Sequence, residues 1–326
     1  MTYRFKLQEP IGQGVRRVGL EQIEIAAAKL AHKGDISTAI HDARRCLKRL
    51  RALLRLIEPG LAAGLYRREA ARLAGIGRLL SGARDLHVMR QTLDKLVRRC
   101  EALPAGATER LAKFAAHSQA PRRRAGGDGR QQALLRLAQS KRFFAGETAA
   151  GIELGHVIEG LGGAYRKARK AFRQAYREPH EEAFHACRKR VQLHWRHMAL
   201  LSRGWPEALS ARASEAKEMS RLLGEDHDYA VLLALARERG KSILEPEDLE
   251  ALATLCRSCQ AELRAAAKPR GERLFAEPAR NLEARVALYW TSAQCLAHLQ
   301  GAGEGPDVPA PEPSARVKTR SRSRGR

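Results

Sequence analysis

The sequence predicts an all-α fold, two four-helix bundles related by a pseudo-twofold axis with a basic groove between them. Three observations predict it. The 326-residue chain is dominated by Ala, Leu, Arg, Glu and Lys, with aromatics at 5% and few β-branched residues, a composition that favours helix. Long windows free of Gly and Pro repeat their apolar residues at helical spacing. A basic helix beginning with His occurs twice, so the second half repeats the first in outline.

Charge narrows the function. Lys and Arg number 60 against 36 Asp and Glu, a formal net charge of +24, which predicts a polyanionic partner such as nucleic acid, acidic lipid or polyphosphate. No run of about 18 apolar residues occurs, so no membrane span is expected. The N-terminal MTYRFKLQEP lacks an apolar h-region, so no signal peptide is expected. The six cysteines (Cys46, Cys100, Cys187, Cys256, Cys259 and Cys295) then read as reduced, buried thiols of a cytoplasmic protein. No cofactor or metal is expected.

In chain order, residues 1–13 read as irregular, with Pro10 and Gly12. A helix is expected over Val15–Ala31, closed at Lys33-Gly34. The next helix is the one on which the reading turns: HDARRCLKRLRALLRLIEP, His41 to Pro59. At 100° per residue His41, Arg44, Arg45, Lys48, Arg51 and Arg55 gather on one side. Leu47, Leu50, Leu53, Leu54 and Ile57 gather on the other. Asp35 or Ser37 is placed to cap it, and Glu58-Pro59-Gly60 to stop it. A solvated face normally mixes Glu with Lys at i,i+4; this one is nearly single-signed, and like charges one turn apart repel. It suits a long anion.

A third helical stretch runs from Leu61 towards Cys100, with Ser81-Gly82 as a kink, and a short helix is expected at Ala107–His117. Ala120 to Arg130, APRRRAGGDGR, reads as a flexible basic linker between a first half of about 1–119 and a second of about 131–302. Helices resume at LLRLAQSKRFFA and again over Glu153–Tyr176. Residues 303–326, rich in Pro, Gly and Ser, read as a disordered tail. It carries Arg316, Lys318, Arg320, Arg322, Arg324 and Arg326.

The repeat lies in HACRKRVQLHWRHMALL, 185–201. Setting His185 on His41 puts Arg188 on Arg44, Lys189 on Arg45 and Gln192 on Lys48. His185, Arg188, Lys189, Gln192, Arg196 and Arg203 share one side, with Val191 and Met198 opposite. Downstream, ARDLHVM at 83–89 and GEDHDYAVLL at 224–233 place a Gly-rich turn and an Asp, Asp85 or Asp228, at matched distance. Two such faces brought together across a twofold line a basic groove, and they repel unless an anion lies between them.

These segments together, HDARRCLKRLR at 41–51, SGARDLHVM at 81–89, HACRKRVQLHWRHMALL at 185–201 and LLGEDHDYAVL at 222–232, resemble the CHAD domain family over roughly residues 1–300. The resemblance implies two four-helix bundles around a basic cavity that binds inorganic polyphosphate, and association with polyphosphate granules. It implies ligands at His41, Arg44, Arg45, Lys48, Arg51 and Arg55, and at His185, Arg188, Lys189, Arg190 and Arg196. Gln192 stands where the family usually has Lys, and Arg196 where it often has Tyr. Many relatives also carry a triphosphate-tunnel (CYTH) enzyme marked by ExExK. YRFKLQEP shows no such pattern, so that enzyme is not expected.

The chemistry fits polyphosphate. His41 to Arg55 lays a basic track roughly 21 Å long at 1.5 Å per residue. Arg grips phosphate oxygens bidentately, and a polyanion draws His towards its charged form. The alternative on composition is a nonspecific nucleic-acid-binding protein, but few aromatics interleave with the basic faces to stack bases. A third reading, a phosphohydrolase, needs a carboxylate cluster for metal, and only Asp85, Glu225, Asp226 and Asp228 offer one. Pairing with Arg or helix capping explains Asp85 and Asp228 better, and no enzyme activity is expected. Cys256 and Cys259 have CxxC spacing, with Cys295 and His298 as the only nearby second pair for zinc; a Leu-rich helical setting favours buried thiols. His194, His197 and His227 are left between surface and cavity.

Overall fold

Every regular element among the residues described by the computed structural model (3–32, 35–80, 91–96, 98, 106–117 and 127–299) is helical. The all-α expectation holds. Helix α1 (Ile11–Ala31) starts directly after Pro10, four residues before the start expected from its glycines. Gly12 is there for proximity: a Cβ on it would stand 1.8 Å from the Ala150 carbonyl oxygen. Helix α2 (Ile36–Leu56) is capped by Asp35, which accepts from the amides of Ser37 and Thr38; side-chain oxygens at this position satisfy amides that lack an intrahelical acceptor. A 3-10 turn at Glu58–Gly60 ends it, and α3 (Ala63–Leu79) follows. The segment SGARDLHVM, with Asp85 and the kink at Ser81-Gly82, lies outside the described residues. So do Cys100, most of the linker and the tail.

Residues 91–96 are helical, and α4 (Ala107–His117) has the expected bounds. Helix α5 (Gly127–Ala145) begins inside the stretch read as linker. Its Arg130 explains why: the guanidinium donates to the carbonyls of Leu30 and His32 at the end of α1, satisfying acceptors that a helix C-terminus leaves open. Then come α6 (Leu154–Arg177), α7 (Glu181–Leu200), α8 (Pro206–Arg239), α9 (Pro246–Leu274) and α10 (Ala279–Leu299). Pro206 and Pro246 occupy first helical positions, where a missing amide hydrogen costs nothing.

Two corrections concern the second half. The Gly-rich turn expected at 224 does not exist, because Gly224 to Asp228 lie in mid-α8. A Cβ at Gly224 would meet the Arg188 guanidinium at an ordinary 3.5 Å, and the helix continues through this glycine without a turn. Arg203 is not on the basic helix, since α7 ends at Leu200 and Arg203 sits in a 3-10 turn.

Two apolar clusters fill the molecule. The larger joins α1, α2, α3, α5, α6, α7, the first part of α8, the end of α9 and α10, with Phe5, Phe144, Tyr165, Phe184 and Trp290 among its fully buried side chains. The smaller joins Leu93, Leu96, Leu111 and Phe114 to Tyr229, Leu232 and Leu233 of α8 and to Leu252, Cys256 and Cys259 of α9. Helix α8, 34 residues and about 51 Å long, runs through both. The segment at its midpoint faces the site.

Candidate anion-binding cleft

Helices α2 and α7 touch where His197 donates from Nε2 to the Ala52 carbonyl, 2.9 Å. Beside this contact a cavity of about 1140 Å³ is lined by α2, α7, the middle of α8 and part of α3. The apolar stripes explain how the helices present their charges: Leu47, Leu50, Leu53 and Leu54 of α2, and Phe184, Cys187, Val191 and Met198 of α7, are buried in the larger core. The opposite faces must then look outward from it.

Nine of the eleven residues picked from the sequence line this cavity: Arg44, Lys48, Arg51 and Arg55 from α2, and His185, Arg188, Lys189, Arg190 and Arg196 from α7. Its lining thus includes eight Arg or Lys side chains against three carboxylates, Glu181, Glu182 and Asp228. Arg51, Lys189 and Arg190 have no carboxylate within ion-pair distance among the described residues. Others are held in place. Arg44 donates to the carbonyls of Gly77 and Leu80 at the end of α3, and Arg55 pairs with Glu58 and lies over the Tyr66 ring.

His41 and Arg45 are not among the lining residues; both are exposed. At 100° per residue Arg44, Lys48, Arg51 and Arg55 span an arc of about 60°, and Arg45 lies about 90° from its centre. Arg45 instead meets Asp42 at 3.3 Å, which also meets Lys29 of α1. Arg196 is at the wall but only 6% exposed. It stacks over Trp195 at 4.2 Å and donates to the Gln192 carbonyl; burial and then Arg49 lower its pKa to about 10, against a partial offset from Tyr3.

The histidines divide by depth. His194 and His197 are core residues, their pKa values pushed down by burial, that of His197 to about 4. His227 belongs to the cleft. Its ring stacks on His185 with centroids 4.0 Å apart. Burial, then His185, Arg188 and Lys189, lower its pKa to about 4, while burial, Lys189 and Arg188 lower that of His185. A pair of neutral imidazoles sits among cations, ready to accept protons once negative charge arrives.

The remaining carboxylates do not converge. Asp226 is buried on Arg264 at 2.6 Å, and Glu225 meets Arg221 at 2.6 Å. Asp228 lines the cleft from mid-helix and caps nothing. Cys46, Cys187, Cys256 and Cys259 are buried as expected, but Cys295 is exposed on α10; burial pushes the Cys256 thiol up to about 12. Lining residues that the sequence reading left out, Tyr66, Glu181 and Glu182, carried no helical-face signal that distinguishes them.

Among family models, the one described as CHAD domain matches residues 19–237. Among solved structures the chain is similar to the crystal structure of the CHAD domain from the plant Ricinus communis. The TM-score is 0.50 and the identity 18%, over 83% of this chain and 93% of that one. That likeness concerns the fold. No curated protein matches.

Proposed function

The chain belongs to the CHAD domain family, and from that premise we propose that it binds inorganic polyphosphate in the cleft between α2 and α7, without turning it over, at polyphosphate granules. One observation carries the reading: two basic helices from distant parts of the chain converge on one cavity with eight cations against three carboxylates. Such a surplus repels itself unless an anion fills the space. Arg forks and Lys point charges at helical intervals suit a repeating phosphate chain with no bases to read. Tyr66, the one aromatic in the lining besides the histidines, is already covered by Arg55, which leaves little for stacking nucleobases. Asp226 and Glu225 are taken by arginines, which disfavours a metal-dependent hydrolase.

The same reading takes the chain as a duplication of two four-helix units about a pseudo-twofold axis. Its support is the meeting of α2 and α7. In the alignment of His41 with His185, Ala52 falls on Arg196, one residue from the His197 that contacts it. Contact between nearly equivalent positions is what an axis passing close by produces.

The test is competition binding. Labelled long-chain polyphosphate is displaced by DNA or RNA at equal phosphate concentration, using the full chain and the double variant Arg188→Ala/Lys189→Ala. The expected result is that polyphosphate holds against excess nucleic acid and that the variant loses at least about tenfold in affinity, each lost phosphate contact also lowering the salt dependence. Equal competition by nucleic acid, with no effect of the variant, sinks the reading and leaves a general polycation.

A further inference from the structure

The outer face of α6 carries a second run of positive charge. Six Arg or Lys and no Asp or Glu fall between Gly160 and Arg177. At 100° per residue Arg166, Lys167, Lys170, Arg173 and Arg177 share an arc of about 120°, and all five are exposed. The opposite arc, with Leu161, Tyr165, Ala168 and Phe172, is buried in the larger core. Arg166 to Arg177 is a row about 16 Å long, and Lys268 of α9 borders it by lying over the Tyr176 ring at 6.0 Å. Only the ends of the row are paired, Arg166 with Glu283 and Arg177 with Glu178. Lys167, Lys170, Arg173 and Lys268 have no carboxylate within ion-pair distance among the described residues. The fold does not demand this single sign. Helix α1, which precedes α2 as α6 precedes α7, mixes Arg16 and Arg17 with Glu21 and Glu24. None of the α6 cations lines the cleft, because α6 packs behind α2 and α7.

We propose that this face of α6 binds duplex nucleic acid along its phosphate backbone, without sequence preference. Charge requires a polyanion, and the rest of the surface chemistry selects which. A protein partner fills an apolar interface core, and α6 exposes no large apolar side chain. A bilayer holds a basic segment firmly only with an inserted apolar anchor, which the same face lacks. Protein–nucleic-acid interfaces are polar and strongly positive, and need neither. Shape then separates a duplex from a slender phosphate chain. The cleft is concave and closes on its ligand from α2 and α7, so a single chain meets more cations there. The α6 row is convex: a helix with its side chains is about 10–12 Å across, and a major groove is about 12 Å wide. Laid along the groove, the row reaches phosphates on both flanking strands, and no base needs to stack. The proposal stands independently of polyphosphate binding in the cleft.

The experiment is titration of a short fluorescent DNA duplex with the full chain over a series of salt concentrations, repeated with a duplex of unrelated sequence. Both duplexes are expected to bind equally. Lys170→Ala/Arg173→Ala is expected to lower affinity about tenfold and to reduce the slope of log affinity against log salt by about two. Lys170→Glu/Arg173→Glu lowers the affinity further. Arg188→Ala/Lys189→Ala, in the cleft, keeps the wild-type affinity for DNA and the wild-type slope. Wild-type circular dichroism in each variant reports an intact fold. Four outcomes overturn the proposal: no binding of either duplex by the full chain, wild-type affinity and slope in the α6 variants, an equal loss of DNA affinity in the cleft variant, or a tenfold loss of polyphosphate affinity in the α6 variants. The last would assign the row to the polyphosphate chain instead.

Discussion

His185 and His227 show what a cation-rich cleft does to single residues. They share the cavity wall with Arg188 and Lys189 on α7, Asp228 on α8, Glu181 and Glu182 at the start of α7, and Arg44 and Lys48 from α2. Burial and the cations lower both pKa values from the ordinary 6.5, that of His227 to about 4. A bound polyanion raises the two pKa values, so the complex takes up protons that the empty cleft refuses. Affinity therefore rises as pH falls from about 6.5 towards about 4. His227→Gln, which cannot titrate, is expected to flatten the lower part of that profile; identical slopes for wild type and variant in titrations across this range would falsify the coupling. The sequence showed His185 as a candidate and left His227 open, because a residue on another helix has no spacing relation to α7. Arg45 is the opposite case. Its charge type matched, yet its angle on the helix sends it to Asp42.

At the scale of elements, the cleft depends on how closely α6 backs α2. Gly160 of α6 lies against Leu56 of α2, and a Cβ there would stand 1.9 Å from the Leu56 carbonyl oxygen. Backbone cannot swing aside as a long side chain can. Gly160→Ala is therefore expected to cost about 1–3 kcal/mol, read as a lower midpoint in urea unfolding. An unchanged midpoint would show that α2 and α6 separate freely. Elsewhere single contacts join elements far apart in sequence. Arg110 of α4 makes a two-pronged pair with Asp248 of α9, at 2.5 and 2.7 Å, and Asp248 also accepts from the Glu245 amide. Element existence was legible from apolar spacing and breakers: α4 has the expected bounds, and α2 stops at its Glu-Pro-Gly. Boundaries set by tertiary packing were not. Gly12 looked like a breaker and is a contact point, Gly224 looked like a turn and is mid-helix, and the start of α5 rests on Arg130 reaching the end of α1.

For the whole molecule, net charge sets the terms of binding. An anion that engages many of the cleft cations at once relieves repulsion present only in the folded state, and a ligand that prefers the folded chain stabilises it by mass action. Long-chain polyphosphate at a hundredfold excess over Kd is expected to add about 2.7 kcal/mol and raise Tm. Triphosphate, which spans fewer cations, raises it less, and both effects shrink with salt. A rise equal for triphosphate and long chains at matched phosphate concentration would place binding at isolated cations instead. That the chain is helical and basic, and that two helices carry the charge, could be read from sequence. Which helices share a core could not, since pairing of distant segments leaves no local signature.

That pairing bears on how the protein is made. Leu93, Leu96, Leu111 and Phe114 complete the smaller core only with residues 229–259, and the Phe5 amide bonds to the Leu200 carbonyl. A ribosome exposes the early members of these pairs roughly ten seconds before the late ones. Over that interval the nascent chain displays unmatched leucines and phenylalanines beside a dense run of arginines, a state suited to capture by chaperones. Cutting the gene at the middle of the chain would thus yield two polypeptides, each missing half of a core.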